Sequence, residues 1–239
     1  MTPTELFKKI RTYCEANADE AVVKKYGRFF KEGYDAYGLT QELMEDKIKA
    51  LLAGGDLDLG TVLEASNPLV ESGKYEETGF AVRLLSDGFA DQFDFDTFKA
   101  VGNWFDIGIV NWAHTDVTCS LLTPKFLEQG IVTLDDFAGW RKSDRRFKRR
   151  AVPVTMLALL KTEEDYQVLF DFIDPMMMDG ERVVHQGLGW FLREAWKLKR
   201  GETEDFLFKW KNDAARLIFQ YATEKMSKEE RVRFRKEKR

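Results

Sequence analysis

The apolar residues of this sequence follow a helical periodicity. Apolar residues recur three and four positions apart within residues 6–13, 43–51, 154–160 and 206–217. This spacing places them on one face of an α-helix. Convincing alternation of apolar and polar residues, which would indicate strands, is absent. The sequence therefore predicts an all-α fold.

Turn signals divide the chain into short helices. They fall at Gly54-Gly55-Asp56, Ser66-Asn67-Pro68, Ser86-Asp87-Gly88, Thr123-Pro124, Gln129-Gly130, Asp174-Pro175, Asp179-Gly180 and Arg200-Gly201. The segments between them run to roughly 10 to 20 residues, and antiparallel helix pairs of about 40 residues are typical of HEAT-like solenoids. No clean sequence repeat is visible, so this prediction rests on spacing alone. We predict a single HEAT-like helical-repeat domain over residues 1–239, with a basic C-terminal segment at 227–239.

Composition is that of an ordinary soluble domain, with 44% apolar and 33% charged residues. No apolar run approaches the ~18 residues that a membrane span needs. Met1–Lys9 lacks a basic leader followed by an apolar block, so no secretory signal is predicted. Cys14 and Cys119 lie far apart in the sequence, which favours reduced thiols and a cytoplasmic location. A monomer is the default expectation.

Charge is distributed unevenly along the chain. Residues 1–138 hold 13 Lys/Arg and 24 Asp/Glu, a balance of −11, whereas residues 139–239 hold 24 and 17, a balance of +7. Gly139–Arg150 carries seven basic residues and one acid, and Lys225–Arg239 carries eight basic and three acidic residues. Such asymmetry indicates a polyanion-binding face. On charge alone, a solvated helix face with a frayed basic tail remains the favoured interpretation.

Trp112 and Asp116 are four residues apart, so they share one face of a helix. The alternate face of this segment is apolar and holds Ile109, Ala113, Val117 and Leu121. We expect that apolar face to be the core side, which directs Trp112 and Asp116 toward a groove or solvent. The structural alternative is that Trp112 packs under a neighbouring helix and Asp116 makes an ion pair.

Two further stripes carry cations. Gln186, Trp190, Arg193 and Lys197 recur at spacings of four, three and four on one predicted helix. An amide, an indole and two cations on one stripe are typical of contact with a sugar-phosphate backbone, although an amphipathic helix with a half-buried tryptophan has the same pattern. In the second stripe Phe147 and Ala151 face the core. Arg146 and Arg150 are then available to a phosphate, which arginine binds bidentately.

Several other chemistries do not fit the sequence. Two histidines and two cysteines without close ligand spacing argue against a structural metal. No phosphate-binding loop or dinucleotide fingerprint follows a predicted strand. His114 and Asp116 lie on different helix faces and lack a nucleophile elbow, so a hydrolase triad is not predicted. We expect no metal and no cofactor.

At these residues the sequence resembles the DNA alkylation repair proteins, AlkD-like DNA glycosylases built from HEAT-like helical repeats. Trp112 and Asp116 match the family's Trp-x-x-x-Asp motif, and Arg150 matches an arginine that precedes a small residue. Gly189-Trp190-Phe191-Leu192-Arg193-Glu194 is similar to its Gly-Trp-hydrophobic-Leu-Arg-Glu helix, and Arg28–Leu39 resembles an aromatic-rich helix that ends at a glycine. Met226–Glu230 resembles a C-terminal Ser-Lys segment. The motifs occur in the family's order.

The resemblance implies a right-handed α-solenoid with a concave basic groove that holds double-stranded DNA carrying alkylated bases. It implies a catalytic role for Asp116, Trp112, Trp190 and Arg150. The DNA contacts expected with it are Phe29, Lys31, Arg146, Lys148, Arg149, Gln186, Arg193 and Lys197. Two positions depart from the family pattern: Ala113 replaces an acidic residue, and Phe29 stands where a tyrosine is expected.

The implied activity is hydrolysis of the N-glycosidic bond of cationic N3- or N7-alkylated purines by a monofunctional glycosylase, in a cytoplasmic protein that is nucleoid-associated when bound to DNA. Two other functions stay open on the sequence. One is a non-catalytic HEAT-like protein that binds distorted or branched DNA. The other is a protein-interaction scaffold, because solenoids bind proteins along their concave face.

Overall fold

The computed structural model describes residues 1–31 and 33–237 and confirms the all-α prediction. These residues form fourteen α-helices and five 3-10 turns, with no strand among them. The α-helices are α1 Pro3–Ala16, α2 Glu20–Gly27, α3 Gln41–Ala53, α4 Leu59–Glu71, α5 Tyr75–Gly88, α6 Phe95–Ile107, α7 Trp112–Leu121, α8 Thr123–Glu128, α9 Arg146–Thr155, α10 Tyr166–Ile173, α11 Arg182–Leu198, α12 Arg200–Trp210, α13 Arg216–Ala222 and α14 Lys228–Val232. The 3-10 turns are Ala90–Gln92, Leu134–Phe137, Trp140–Lys142, Met156–Lys161 and Asp174–Met178. Within the described ranges, no helix combines the length and apolar character needed to cross a membrane.

The chain divides into two compact units, Met1–Asp135 and Asp136–Arg239. In both units several helices pack against the helix two positions further along the chain. In the first unit α3 packs on α5, α4 on α6 and α5 on α7, and in the second α9 packs on α11 and α11 on α13. This stacking is the pattern of helical repeats. A single domain over residues 1–239 and a concave basic groove remain predictions.

The expected helix over Arg28–Leu39 is wrong. Helix α2 ends at Gly27, and the chain from Gly33 to Thr40 has no regular structure. Gly33 and Gly38 have φ of 99° and 91°, a backbone conformation that interrupts a right-handed helix. A Cβ atom at Gly38 would lie 2.2 Å from the carbonyl oxygen of Asp19, so this position accepts no side chain.

The expected core side of α7 is also wrong, except at Ile109, which precedes the helix and is buried. The buried residues of this helix are His114, Thr115, Thr118 and Cys119, whereas Ala113, Val117 and Leu121 are half-buried. Burial of the threonines is inexpensive because each hydroxyl is satisfied within the helix: Thr115 donates to the Asn111 carbonyl at 3.1 Å and Thr118 to the His114 carbonyl at 2.8 Å. Trp112 and Asp116, expected to point away from the core, are half-buried.

In the second unit α11 is the central helix, and two of its glycines permit close packing on both sides. A Cβ at Gly187 would meet Arg150 Cγ on α9 at 3.4 Å. A Cβ at Gly189 would meet the Ile218 carbonyl oxygen on α13 at 2.7 Å and Tyr221 Cβ at 2.4 Å. The Gly-Leu-Gly sequence therefore serves packing, although each glycine within a helix costs about 1 kcal/mol relative to alanine.

Candidate active site

Trp112 and Asp116 are carried by one helix whose start is fixed by a side-chain cap. The Asn111 side-chain oxygen accepts a hydrogen bond from the His114 backbone N–H at 2.9 Å, so α7 begins at Trp112. Asp116 follows one turn later, and both side chains are half-buried. An aromatic side chain and a carboxylate that both reach solvent therefore stand side by side on the first unit.

A cluster of rings surrounds the start of α7. The Phe30 ring stacks on Trp112 with centroids 5.1 Å apart and on Tyr34 with centroids 4.4 Å apart. Tyr75 contacts Phe30 edge-on at 6.1 Å and stacks on His114 at 6.0 Å. Each such pair contributes about 0.5–1.5 kcal/mol beyond the area it buries. The cluster holds the indole of Trp112 against the segment before Gly33.

Two buried glutamates on α5 bind the chain a few residues after Tyr34. The Glu76 carboxylate accepts backbone hydrogen bonds from Tyr37 at 2.8 Å, Gly38 at 2.7 Å and Leu39 at 3.1 Å. Next to it, Glu77 accepts two hydrogen bonds from Arg11, both 2.8 Å long, and one from the Tyr37 hydroxyl. Burial raises the pKa of Glu77, but the hydrogen bonds from Arg11 and Tyr37 outweigh it and hold that pKa below its ordinary value.

His114 lies on the buried side of the cluster and is 1% exposed. Burial lowers its pKa to about 4, so the ring is neutral at physiological pH. Neither ring nitrogen has a hydrogen-bond partner among the described residues. Burial likewise raises the pKa of the Tyr34 and Tyr75 phenols, so the whole cluster is uncharged.

Phe29 and Lys31, predicted DNA contacts, lie at the surface beside this cluster. The Phe29 side chain is 55% exposed, and the Arg28 guanidinium lies 4.8 Å from its ring centroid. Tyr26 is 43% exposed, so an accessible phenol lies three residues before the phenylalanine that stands where the family pattern has tyrosine. Sequence reasoning missed Phe30, which makes the ring contact with Trp112.

Trp190 is half-buried on α11 of the second unit, and the polar residues of its predicted stripe have protein partners. Gln186 donates to the Tyr221 hydroxyl at 2.7 Å. Arg193 donates to Glu194 at 2.9 Å and to Glu224, and Lys197 also binds Glu194. Burial raises the pKa of Glu194, but hydrogen bonds from Lys197 and Arg193 exceed that effect and lower it. The carboxylate is thus ionised and binds both cations.

The adjacent arginines of α9 are both engaged with the start of α11. Arg150 is 5% exposed and donates to the Val183 carbonyl at 2.8 Å. Arg149 binds both carboxylate oxygens of Asp179, at 2.6 and 3.3 Å, and donates to the Ser143 carbonyl at 2.7 Å. A DNA phosphate would therefore have to compete with these protein acceptors for the two arginines.

The remaining predicted contacts on α9 are closer to the surface. Arg146 is exposed and lies 3.8 Å from the Glu181 carboxylate. The half-buried Lys148 lies 5.7 Å from the Trp140 ring centroid. Across residues 1–31 and 33–237, no three His, Cys, Asp or Glu side chains are grouped to hold a metal ion. The predicted catalytic residues thus come in two pairs, Trp112 with Asp116 on α7 and Arg150 with Trp190 on the packed helices α9 and α11.

The stacked helices of the two units define a helical-repeat protein. The chain belongs to the DNA alkylation repair enzyme family, whose sequence profile matches residues 10–226. A similar solved structure is described as a predicted DNA alkylation repair enzyme from Enterococcus faecalis. It has a TM-score of 0.76 and 14% sequence identity, and the match covers 89% of this chain and 98% of that chain. At this identity the likeness shows a shared fold. No curated protein matches the sequence.

Proposed function

We propose that this protein is a monofunctional DNA glycosylase that hydrolyses the N-glycosidic bond of cationic N3- or N7-alkylated purines in duplex DNA. The observation that carries the proposal is the pairing of Asp116 with Trp112 on α7, in a member of the DNA alkylation repair enzyme family. Asp116 is half-buried rather than sealed in the core, so a substrate can reach it. The ring of Phe30 supports the indole beside it.

The protein does not need to protonate the departing base. Alkylation at N3 or N7 makes the purine a cation, which leaves as a neutral base without being protonated. Positive charge then develops on the deoxyribose, and a fixed carboxylate aimed at the sugar stabilises that charge. Asp116 supplies the carboxylate and also orients the water that attacks the sugar carbon. The proton released by that water passes to solvent, and the products are a free base and an abasic site.

The tryptophans contribute their electron-rich faces. A cation within about 6 Å of an indole centroid is attracted by the ring, most strongly where water is excluded. In this proposal the indole of Trp112, one turn from Asp116, stabilises the oxocarbenium-like sugar, the indole of Trp190 contacts the DNA backbone, and the phosphate contacts come from cationic side chains. Binding to undamaged duplex is then largely electrostatic and weakens steeply with salt.

Release of 7-methylguanine from methylated duplex DNA tests the proposal. We expect the protein to release the cationic base and to leave hypoxanthine, a neutral damaged base, in place on a matched duplex. Because the leaving-group charge drives the reaction, equal release of both bases would contradict the mechanism. Duplex binding without release of either base would support a non-catalytic DNA-binding protein instead. If neither binding nor release occurs at low salt, the chain is a protein-interaction scaffold.

A further inference from the structure

The cations predicted for DNA contact in the second unit are mostly committed to carboxylates. Arg149 is paired with Asp179, and Arg193 and Lys197 share Glu194. A phosphate must displace these carboxylates before it can bind the cations. Each exchange replaces one ion pair with another and yields little net attraction. Such cations are poor candidates for the main phosphate contacts.

Other exposed cations in this unit have no such competition, and three of them lie near the starts of α9 and α11. Lys142, Arg145 and Arg182 are exposed, and among the described residues no carboxylate lies within ion-pair distance of their side chains. Lys142 and Arg145 belong to the basic stretch Gly139–Arg150, but none of the three is among the DNA contacts expected from the sequence. Because they hold no carboxylate, these cations can neutralise DNA phosphates and thereby release the counterions condensed on the DNA.

The three cations lie around one junction in the fold. Arg146 of α9 and Glu181, which precedes α11, approach to 3.8 Å, and Arg145 and Arg182 are the chain neighbours of that pair. The turn that carries Lys142 is fixed to the same junction. The Ser143 hydroxyl accepts from the Arg145 backbone N–H at 3.1 Å, and the Ser143 carbonyl accepts from Arg149.

Charge at this junction is strongly positive. Residues 142–149 and 179–182 contain six cations and three acids. Two of the acids are used within the junction, because Asp179 binds Arg149 and Glu181 lies beside Arg146. The third is the exposed Asp144, which has no partner among the described residues and offsets one charge.

We propose that Lys142, Arg145 and Arg182 form a binding surface for the phosphodiester backbone of duplex DNA. The inference rests on the proposed function only in taking duplex DNA as the partner. Arginine suits the role because its fork binds two phosphate oxygens and it remains charged at all relevant pH values. The surface binds undamaged and alkylated duplex alike, because it contacts the backbone and reads no base.

Salt titration of binding to an undamaged duplex tests this surface. Affinity is measured by fluorescence anisotropy between about 50 and 200 mM salt for the wild type and for Arg145→Gln, Arg182→Gln and the double variant. We expect the slope of log affinity against log salt to fall by about 0.9 for each phosphate that is no longer neutralised, and by about 1.8 in the double variant. The salt slope of Lys142→Gln tests in the same way whether Lys142 neutralises a phosphate.

The matched control is Lys209→Gln, which removes an exposed lysine of the same unit that is already paired with Asp174. Its slope should equal that of the wild type. An unchanged slope in the double variant, or an equal fall in the control, would overturn the proposed surface. Failure of the glycosylase proposal has a different signature, because base release is then absent while the salt slope still responds to Arg145 and Arg182. Wild-type protein that does not bind duplex DNA at about 50 mM salt overturns the surface as well.

Discussion

The ring of Phe30 lies parallel to the indole of Trp112, with centroids 5.1 Å apart and an interplanar angle of 17°. This contact joins the segment after α2 to the first residue of α7. Further along the chain, Glu76 accepts backbone hydrogen bonds from Tyr37, Gly38 and Leu39. The indole of Trp112, one turn before Asp116, is therefore supported by an aromatic ring that has no direct part in the proposed chemistry.

Phe30→Ala is expected to lower the free energy of unfolding by about 2 kcal/mol, because it removes a half-buried ring and its stacks on Trp112 and Tyr34. It should also slow base release, since the indole is no longer supported. Phe29→Ala is the matched control: that ring is 55% exposed, so stability should change by less than about 0.5 kcal/mol. Chemical denaturation measures both. Equal destabilisation in the two variants would contradict the role given to Phe30.

His114 makes stability depend on pH. Its pKa is lowered to about 4 in the folded protein, so the unfolded chain binds the proton more readily below pH 6.5. The stability associated with the neutral ring is complete above pH 6.5 and is lost as the pH falls toward 4, by about 3 kcal/mol in total. His114→Leu removes this titration while carboxylates elsewhere still titrate. The difference in unfolding free energy between about pH 7.5 and 4.5 should therefore be smaller in the variant; identical pH profiles would refute the assignment.

Gly189→Ala should destabilise the second unit by about 2 kcal/mol, because the added Cβ meets the Ile218 backbone oxygen, which cannot move without shifting α13. Gly201→Ala is the comparison within a helix. A Cβ at Gly201 meets nothing within 4 Å, so the better helix propensity of alanine should stabilise the protein by about 0.5 kcal/mol. Thermal unfolding shows whether each variant is more or less stable than the wild type. A stabilising Gly189→Ala would show that α11 and α13 are not held at this separation.

Arg150→Ala is expected to act on stability as well as on DNA binding. The side chain is 5% exposed and its guanidinium donates to the Val183 carbonyl, so truncation leaves a buried acceptor and a cavity. We expect destabilisation by about 2 kcal/mol or more. Arg145→Gln, which changes an exposed side chain, should leave the unfolding free energy unchanged. If Arg150→Ala unfolds with the wild-type midpoint, the internal contact contributes nothing and a phosphate role for this arginine gains support.

The helical fold follows from apolar spacing, which is why the all-α prediction is confirmed. The core side of α7 could not be found in this way, because threonine hydroxyls that bond within the helix are buried at little cost. Apolar spacing also could not show where α2 ends. The aromatic spacing of residues 28–37 fits a helix, but the positive φ of Gly33 and Gly38 and the three hydrogen bonds to Glu76 depend on packing between distant parts of the chain.

The sequence likewise predicts one part of the proposed site and not another. Trp112 and Asp116 are placed together by helical spacing alone, so the sequence predicts their proximity. The partners of Arg149 and Arg193 lie 30 and 31 residues further along the chain, at Asp179 and Glu224. No local sequence pattern reveals such pairs. Clustering of cations in the sequence therefore cannot show which of them are paired with carboxylates and which are available to a phosphate.

We expect the Asp116 carboxylate to lower the barrier to departure of a cationic base, and single-turnover release of 7-methylguanine from duplex DNA measures this effect. Asp116→Asn keeps the side-chain size and removes the charge. We predict that its release rate falls at least about 100-fold, on the scale of removing one electrostatic stabiliser of a transition state, while duplex affinity stays close to wild type. Asp87→Asn, an exposed residue of α5 in the same unit, is the control and should release at the wild-type rate. If Asp116→Asn releases the base at the wild-type rate, the carboxylate has no catalytic role.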